Sequence, residues 1–177
     1  MTEAKNSLVR IARRELTTQR EEQEAVAEES ATEHRRRIDA TEDLIADFLR
    51  VMGQVGFPEA KRHPAIGSRL HRPRGWDVAY LPACKKIVGG SAIVFLSTRG
   101  KSWATSFHRR HKPPGKDWWS VAPISVSELA KLSVEPLTRL QRHDQRFHET
   151  GKAAAVDGSL LYTMSQILAA NGLSWPA

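Results

Sequence analysis

The sequence predicts an α+β chain: a long N-terminal helical arm, a small antiparallel β-meander of three or four strands, and two or three C-terminal helices packed on it. Three observations carry this. The first fifty residues hold no proline and no glycine, and are rich in Ala, Glu, Arg and Leu, the composition of helix. From Trp76 to Ala122 apolar residues alternate or run in short continuous stretches, as strands do. After Ile124 the spacing of three and four returns. The expected organisation is an arm over 1–53, a basic linker loop over 54–75 rich in Pro and Gly, and an α+β domain over 76–177, with sheet to 124 and helices beyond.

In the arm, Leu8, Ile11, Ala12 and Leu16 make a short apolar stripe. Ile38, Ile45, Phe48, Leu49 and Met52 make a stronger one that ends at Gly53, a natural C-cap. Such a stripe needs a cover, either its own domain or a second copy of the chain, so these five residues are the expected seam of a coiled coil or homo-oligomer. Between the stripes Val26 is the one large aliphatic residue, and the run EEQEAVAEESATE has six glutamates without a base. That part cannot bury a face and is expected as a solvated helix or a hinge. A continuous helix of this length would reach roughly 75 Å, too far to lie wholly on a small domain.

The segment 54–75 is interrupted by Gly56, Pro58, Pro64, Gly67, Pro73 and Gly75 and predicts loop. WDVAYL then places Trp76, Val78 and Tyr80 on one side of a strand, SAIVFLS is apolar throughout like a central strand covered on both faces, and KSWATSF sets Trp103, Thr105 and Phe107 on one face. TRGK between the last two, with Gly100 free to take positive φ, predicts a tight hairpin, and WWSVA supplies a further strand. Ser125 and Glu128 form a capping box ahead of Leu129 and Leu132. Pro136, Leu137, Leu140 and Phe147 mark a second helix, and Asp157 caps a third, with Leu160, Leu161, Met164, Ile167 and Leu168 inward and Asn171-Gly172 at its end.

Charge is distributed unevenly along the chain. Residues 1–53 hold nine Lys or Arg against twelve Asp or Glu, whereas from Lys61 to Lys116 thirteen basic residues face a single acid, Asp77. Solubility requires no such density, and a polyanion partner does. Arg69, Arg72, Arg74, Arg99, Lys101, Arg109, Arg110, Lys112 and Lys116 fall in loops and a hairpin tip, where long side chains reach phosphates without disturbing a core. Trp118 and Trp119 follow directly. In a strand one of the pair points away from the core, where it stacks on a base or packs at the core's edge. Arg139, Arg142 and Arg146 form a second basic stripe opposite Leu140 and Phe147.

Other chemistry is poorly supported. His108 and His111 in HRRH have a spacing seen in metal sites, but Arg109, Arg110, Lys112 and Lys116 would repel a divalent ion, and His63, His71, His143 and Cys84 show no paired spacing. Cys84 alone forms no internal disulfide; Lys85 and Lys86 after it could lower its pKa, but a buried apolar cysteine at the start of a strand is the expectation. Gly89-Gly90 lacks the spacing of a phosphate loop, and Asp77 has no partner for general acid and base work. No metal, no cofactor and no catalytic residue is expected. The N-terminus has no uninterrupted apolar stretch of a secretory signal and no run is long enough for a membrane span, so the expectation is a soluble cytoplasmic protein without a membrane partner.

The stretch SVSELAKLSVEPLTRLQRHDQ resembles a helix-turn-helix, with Leu129 and Ala130 in the first helix and Leu140 in the recognition helix. It departs from that pattern at the turn, where Ser133 or Val134 stands in place of glycine and Pro136 follows closely, and an ordinary helical hairpin with a solvated basic face is the simpler expectation. Taken together, the residues predict a non-catalytic protein that binds DNA or RNA through basic loops. The alternative is an interaction or assembly protein that oligomerises through the N-terminal helix and docks an acidic protein on its basic surface.

Overall fold

Helix α1 (Thr2–Gln54) follows from the absence of breakers, and its residues belong to two compact units, Met1–Arg37 and Ile38–Ala177. A computed structural model describes residues 2–68, 70–87, 90–108, 118–134 and 154–176, with backbone alone for 2–14, 18, 133–134 and 154–158. In the first unit the described side chains from Glu15 to Arg37 lie in solvent, His34 being half-buried, and Leu16 and Val26 are each 66% exposed. What supports this stretch laterally is pairing one turn apart: Arg20 Nε donates to Glu24 Oε1 at 2.9 Å and Arg37 Nε to Glu33 Oε1 at 3.1 Å. Each such exposed pair contributes only about 0.3–0.5 kcal/mol.

The second unit begins with the stronger stripe. Ile45, Phe48, Val51 and Met52 are buried in the core, and Ile38 and Leu49 pack against it. The stripe is thus covered within its own chain, and an oligomer seam no longer follows from it. The helix runs through Gly53 to Gln54, and the glycine that closes it is Gly56, three residues beyond the one the sequence suggests. Phe57 N–H donates to Met52 O at 2.8 Å and Gly56 N–H to Gly53 O at 3.2 Å, with Gly56 at φ 76°, a Schellman closure in which Gly56 is the left-handed residue.

A five-stranded antiparallel sheet follows, ordered β1 (Lys61–Arg62), β2 (Arg74–Leu81), β3 (Ala92–Ser97), β4 (Ser102–His108), β5 (Trp118–Pro123). The expected count of three or four is corrected to five. The additional strand is β1, two residues inside the Pro- and Gly-rich segment 54–75, too short to show any period. β3 sits in the middle, as its unbroken apolar run predicts, and the Thr98–Lys101 turn closes the β3–β4 hairpin with Gly100 at φ 76°. Within β2 the expected alternation fails. The register against β3 shifts between Asp77 and Ala79, so Trp76, Ala79 and Leu81 face one way while Asp77 and Tyr80 face the other.

The first face carries Trp76, Ala79, Leu81, Ala92, Val94, Leu96 and Ala104 into a core shared with α1, α2 (Val126–Leu129) and α3 (Val156–Ala170). Phe48 meets Trp76 edge to face at 5.2 Å, and Trp76 Nε1 donates to Pro58 O at 3.1 Å. Cys84 is buried in this core, in the connection after β2 rather than at the start of a strand. α2 has the predicted capping box. Glu128 is also ion-paired with Lys86, and these bonds, that from Lys86 foremost, hold its carboxyl down to about 2. α3 ends as predicted, with Leu173 N–H on Leu168 O at 2.9 Å and Gly172 at φ 68°.

Between α2 and α3 lies a pair of strands, β6 (Ser133–Val134) and β7 (Ala154–Ala155). The helix-turn-helix resemblance is corrected here: its first helix is a single turn, and Ser133 and Val134, its turn positions, are strand. The helix expected after Pro136 lies outside the described residues. Among the described residues no helix is long and apolar enough to cross a membrane.

Candidate nucleic-acid interface

Register gathers cations at one end of the sheet. Arg62 and Arg74 are directly opposite each other across β1 and β2, and Arg74 O accepts from Thr98 N–H at 2.8 Å, which brings the Thr98–Lys101 turn alongside. Lys61, Arg62, Arg74, Arg99 and Lys101 are exposed. Arg74 Nε is oriented by Ala60 O at 3.3 Å. Arg72 is half-buried, and its Nε lies in the interior without a hydrogen bond. Among the described residues none of these six cations is ion-paired with a carboxylate.

Four of the expected basic contact residues are therefore described, namely Arg72, Arg74, Arg99 and Lys101, and they come together. Lys61 and Arg62 join them, and a two-residue strand among prolines and glycines has no sequence pattern that marks them. Arg69, Arg109, Arg110, Lys112, Lys116, Arg139, Arg142 and Arg146 lie outside the described residues. The connection holding four of them leaves β4 at His108 and re-enters β5 at Trp118, a strand's length of about 20 Å from the Arg99 turn.

Trp118 and Trp119 point to opposite faces, as neighbours in a strand must. Trp118 is 43% exposed and stacks on His108, with centroids 4.8 Å apart and planes at 16°. His108 Nε2 lies 3.0 Å from Ser120 Oγ. Trp119 turns to the second face of the sheet, where its ring meets His63 at 4.9 Å and Phe107 at 5.0 Å.

Next to the basic end, that second face opens into a cleft of about 350 Å³. Phe95, Ile93, Thr105 and Trp119 form its apolar floor and wall, Lys61 and Arg62 line it from β1, and His63 and Asp77 bring titratable groups to it. Gly75 is required beneath it. A Cβ there would strike the Leu96 carbonyl and lie 2.8 Å from the Phe95 ring. His63 is buried, with its ring edge-on to Phe95 at 5.0 Å, and its Nδ1 accepts from Ala65 N–H at 3.2 Å, which leaves the proton on Nε2. Desolvation, reinforced by the Arg72 charge, lowers the imidazole to about 4, so the ring is neutral at pH 7. Desolvation raises the Asp77 carboxyl to about 6.

Thr105 Oγ1 donates across to β3, to Ile93 O at 3.4 Å. The groups present suit holding a ligand: apolar walls, the Asp77 carboxylate as an acceptor, and at the rim two cations with the exposed Glu59. Among the described residues no three His, Cys, Asp or Glu side chains converge as metal ligands, and His111 lies outside them. Neither His63 nor Asp77 was legible as part of a site, because both are single titratable residues whose meeting depends on β1 folding back along β2. Comparison with protein families, with curated proteins and with solved structures finds no match to this chain.

Proposed function

We propose that this is a non-catalytic nucleic-acid-binding protein of the cytoplasm, contacting the phosphates of DNA or RNA through the basic end of its sheet. The observation that carries the reading is the convergence of Arg62, Arg74, Arg99 and Lys101 by strand register, exposed and without a described carboxylate to neutralise them. Cations left unpaired at one edge favour a polyanion, because bringing phosphates there releases counterions without breaking internal ion pairs. In this reading Arg72 adds to that surface, Arg109, Arg110, Lys112 and Lys116 contact phosphates further along the same strand of nucleic acid, where Trp118 offers an exposed ring for a base, and Arg69, Arg139, Arg142 and Arg146 add further phosphate contacts.

The test is a salt titration of binding to fluorescent single strands and duplexes. Changing Arg62, Arg99 and Lys101 together to Gln, which removes no described hydrogen bond, is expected to reduce the slope of log affinity against log salt by about 2 to 3. An unchanged slope overturns the assignment. Displacement of nucleic acid by poly-glutamate at matched charge concentration would favour an acidic protein as the partner instead.

A further inference from the structure

We propose that the cleft on the second face receives one unpaired base of a bound single strand, and that this base is guanine, held through its N1–H and N2–H edge by Asp77. The proposal rests on the nucleic-acid reading and deepens it by giving the strand a base-selective contact.

Asp77 is the starting point. It faces the cleft opposite Phe95 in the β2–β3 register, and among the described residues nothing donates a hydrogen bond to its carboxylate or pairs with it. Burial in the cleft disfavours the carboxylate, whose oxygens are not sealed from water, and a ligand that expels that water must supply the donors itself. The surroundings say what kind of ligand. A simple ammonium would share the cleft with Lys61 and Arg62, whose charges together outweigh that of the exposed Glu59, and Arg72 acts on the adjacent His63. A molecule with N–H donors at one end and negative charge at the other satisfies the carboxylate and the rim together, and a nucleotide has that polarity.

The choice among bases follows from donor geometry. Guanine alone presents two adjacent N–H groups, N1–H and N2–H, matching the two oxygens of an ionised carboxylate. Adenine and cytosine set an acceptor nitrogen beside the amino group, which would face a carboxylate oxygen, and uracil sets its single N–H between two carbonyls. A cleft of about 350 Å³ with Phe95 and Trp119 in its wall admits one base and gives it an aromatic surface. The phosphate next to that base then lies toward Lys61 and Arg62.

The experiment uses eight-nucleotide uridine strands with one central G, A, C or U, titrated by anisotropy at pH 7.5 against the full chain and against Asp77→Asn. Guanosine 5′-monophosphate is titrated separately by tryptophan fluorescence. The full chain is expected to bind the G strand about tenfold tighter than the others, and Asp77→Asn to lose that margin while keeping its salt slope and melting no lower than the full chain. Salt-dependent binding that ignores the base and the Asn variant overturns the guanine site and leaves the phosphate reading standing. A margin for A, C or U overturns the choice of guanine. Binding of the monophosphate that depends on Asp77, with no strand bound, sustains the cleft and overturns the polymer reading. Binding of neither overturns both.

Discussion

The two faces of the sheet are made by the same strands and differ in what their side chains can do. The first face is small and aliphatic along its middle, Ala79, Ala92, Val94, Leu96 and Ala104, which lets helices approach closely and expel water. The second face carries Phe95, Trp103, Phe107 and Trp119 with Asp77, Tyr80 and Thr105 between them, and most of these remain half-buried. His63 packs on it, and a cleft stays open beside it. Stability is concentrated where apolar contacts are complete. The proposed recognition falls where aromatic surface and two titratable groups are left with room for a ligand.

The largest effect expected from this division is at Phe48. It is fully buried against Trp76, so Phe48→Ala removes both transfer energy and packing and is expected to cost about 3–5 kcal/mol in urea unfolding. Trp103, on the half-exposed face, is expected to cost about 1–2 kcal/mol as Trp103→Ala, because part of its area already meets water. Equal losses at the two positions would erase the distinction between a sealed face and an open one.

A smaller effect separates the two titratable groups of the open face by pH. Asp77 rises from 3.8 to about 6 on folding, so its contribution is most favourable below 3.8 and is lost as pH climbs toward 6. His63 falls from 6.5 to about 4, so its contribution is fully present above 6.5 and is lost as pH drops toward 4. The two slopes oppose each other over nearly one window and mask each other in the intact chain. Asp77→Asn is therefore expected to gain on the wild type as pH rises from 4 to 6, and His63→Gln to gain on it as pH falls from 6.5 to 4. Each gain should amount to about 2–3 kcal/mol, nearer the lower figure for the partly exposed Asp77. Parallel profiles for both variants would mean that neither group is desolvated by folding.

Much of the first face was legible in the sequence, because its signals are local. The Ile38–Met52 stripe, the Ser125–Glu128 box, the Gly100 turn and the Asn171-Gly172 ending each need only a few adjacent residues. The second face was not, because its geometry is set at a distance. Val78 extends β2 by one residue and turns Tyr80 from the side of Trp76 to the side of Asp77, a change that no alternation pattern reveals. β1 lies two residues long among prolines and glycines, yet its pairing places Arg62 opposite Arg74 and carries His63 over Phe95. The basic composition pointed to a polyanion, but which cations converge was decided by that pairing.

The smallest effect on the fold, and the one that sharpens the comparison most, is at the adjacent tryptophans. Trp118 lies on the first face but out at the strand end, stacked on His108 and 43% exposed, whereas Trp119 lies on the second face against His63 and Phe107. Trp118→Ala removes one exposed aromatic pair and is expected to cost about 1 kcal/mol or less in stability. Its effect on binding should be even across bases, a loss of about fivefold or more for every single strand, since stacking accepts any π-face. Trp119→Ala should instead reduce the margin for guanine, because it takes away a wall of the cleft, and should lower stability further through His63. Phe is the control at each position, keeping an aromatic face while shortening the ring. If Trp118→Ala erases base preference and Trp119→Ala spares it, selection belongs to the first face at its open end, and the assignment of stability and recognition to separate faces is overturned.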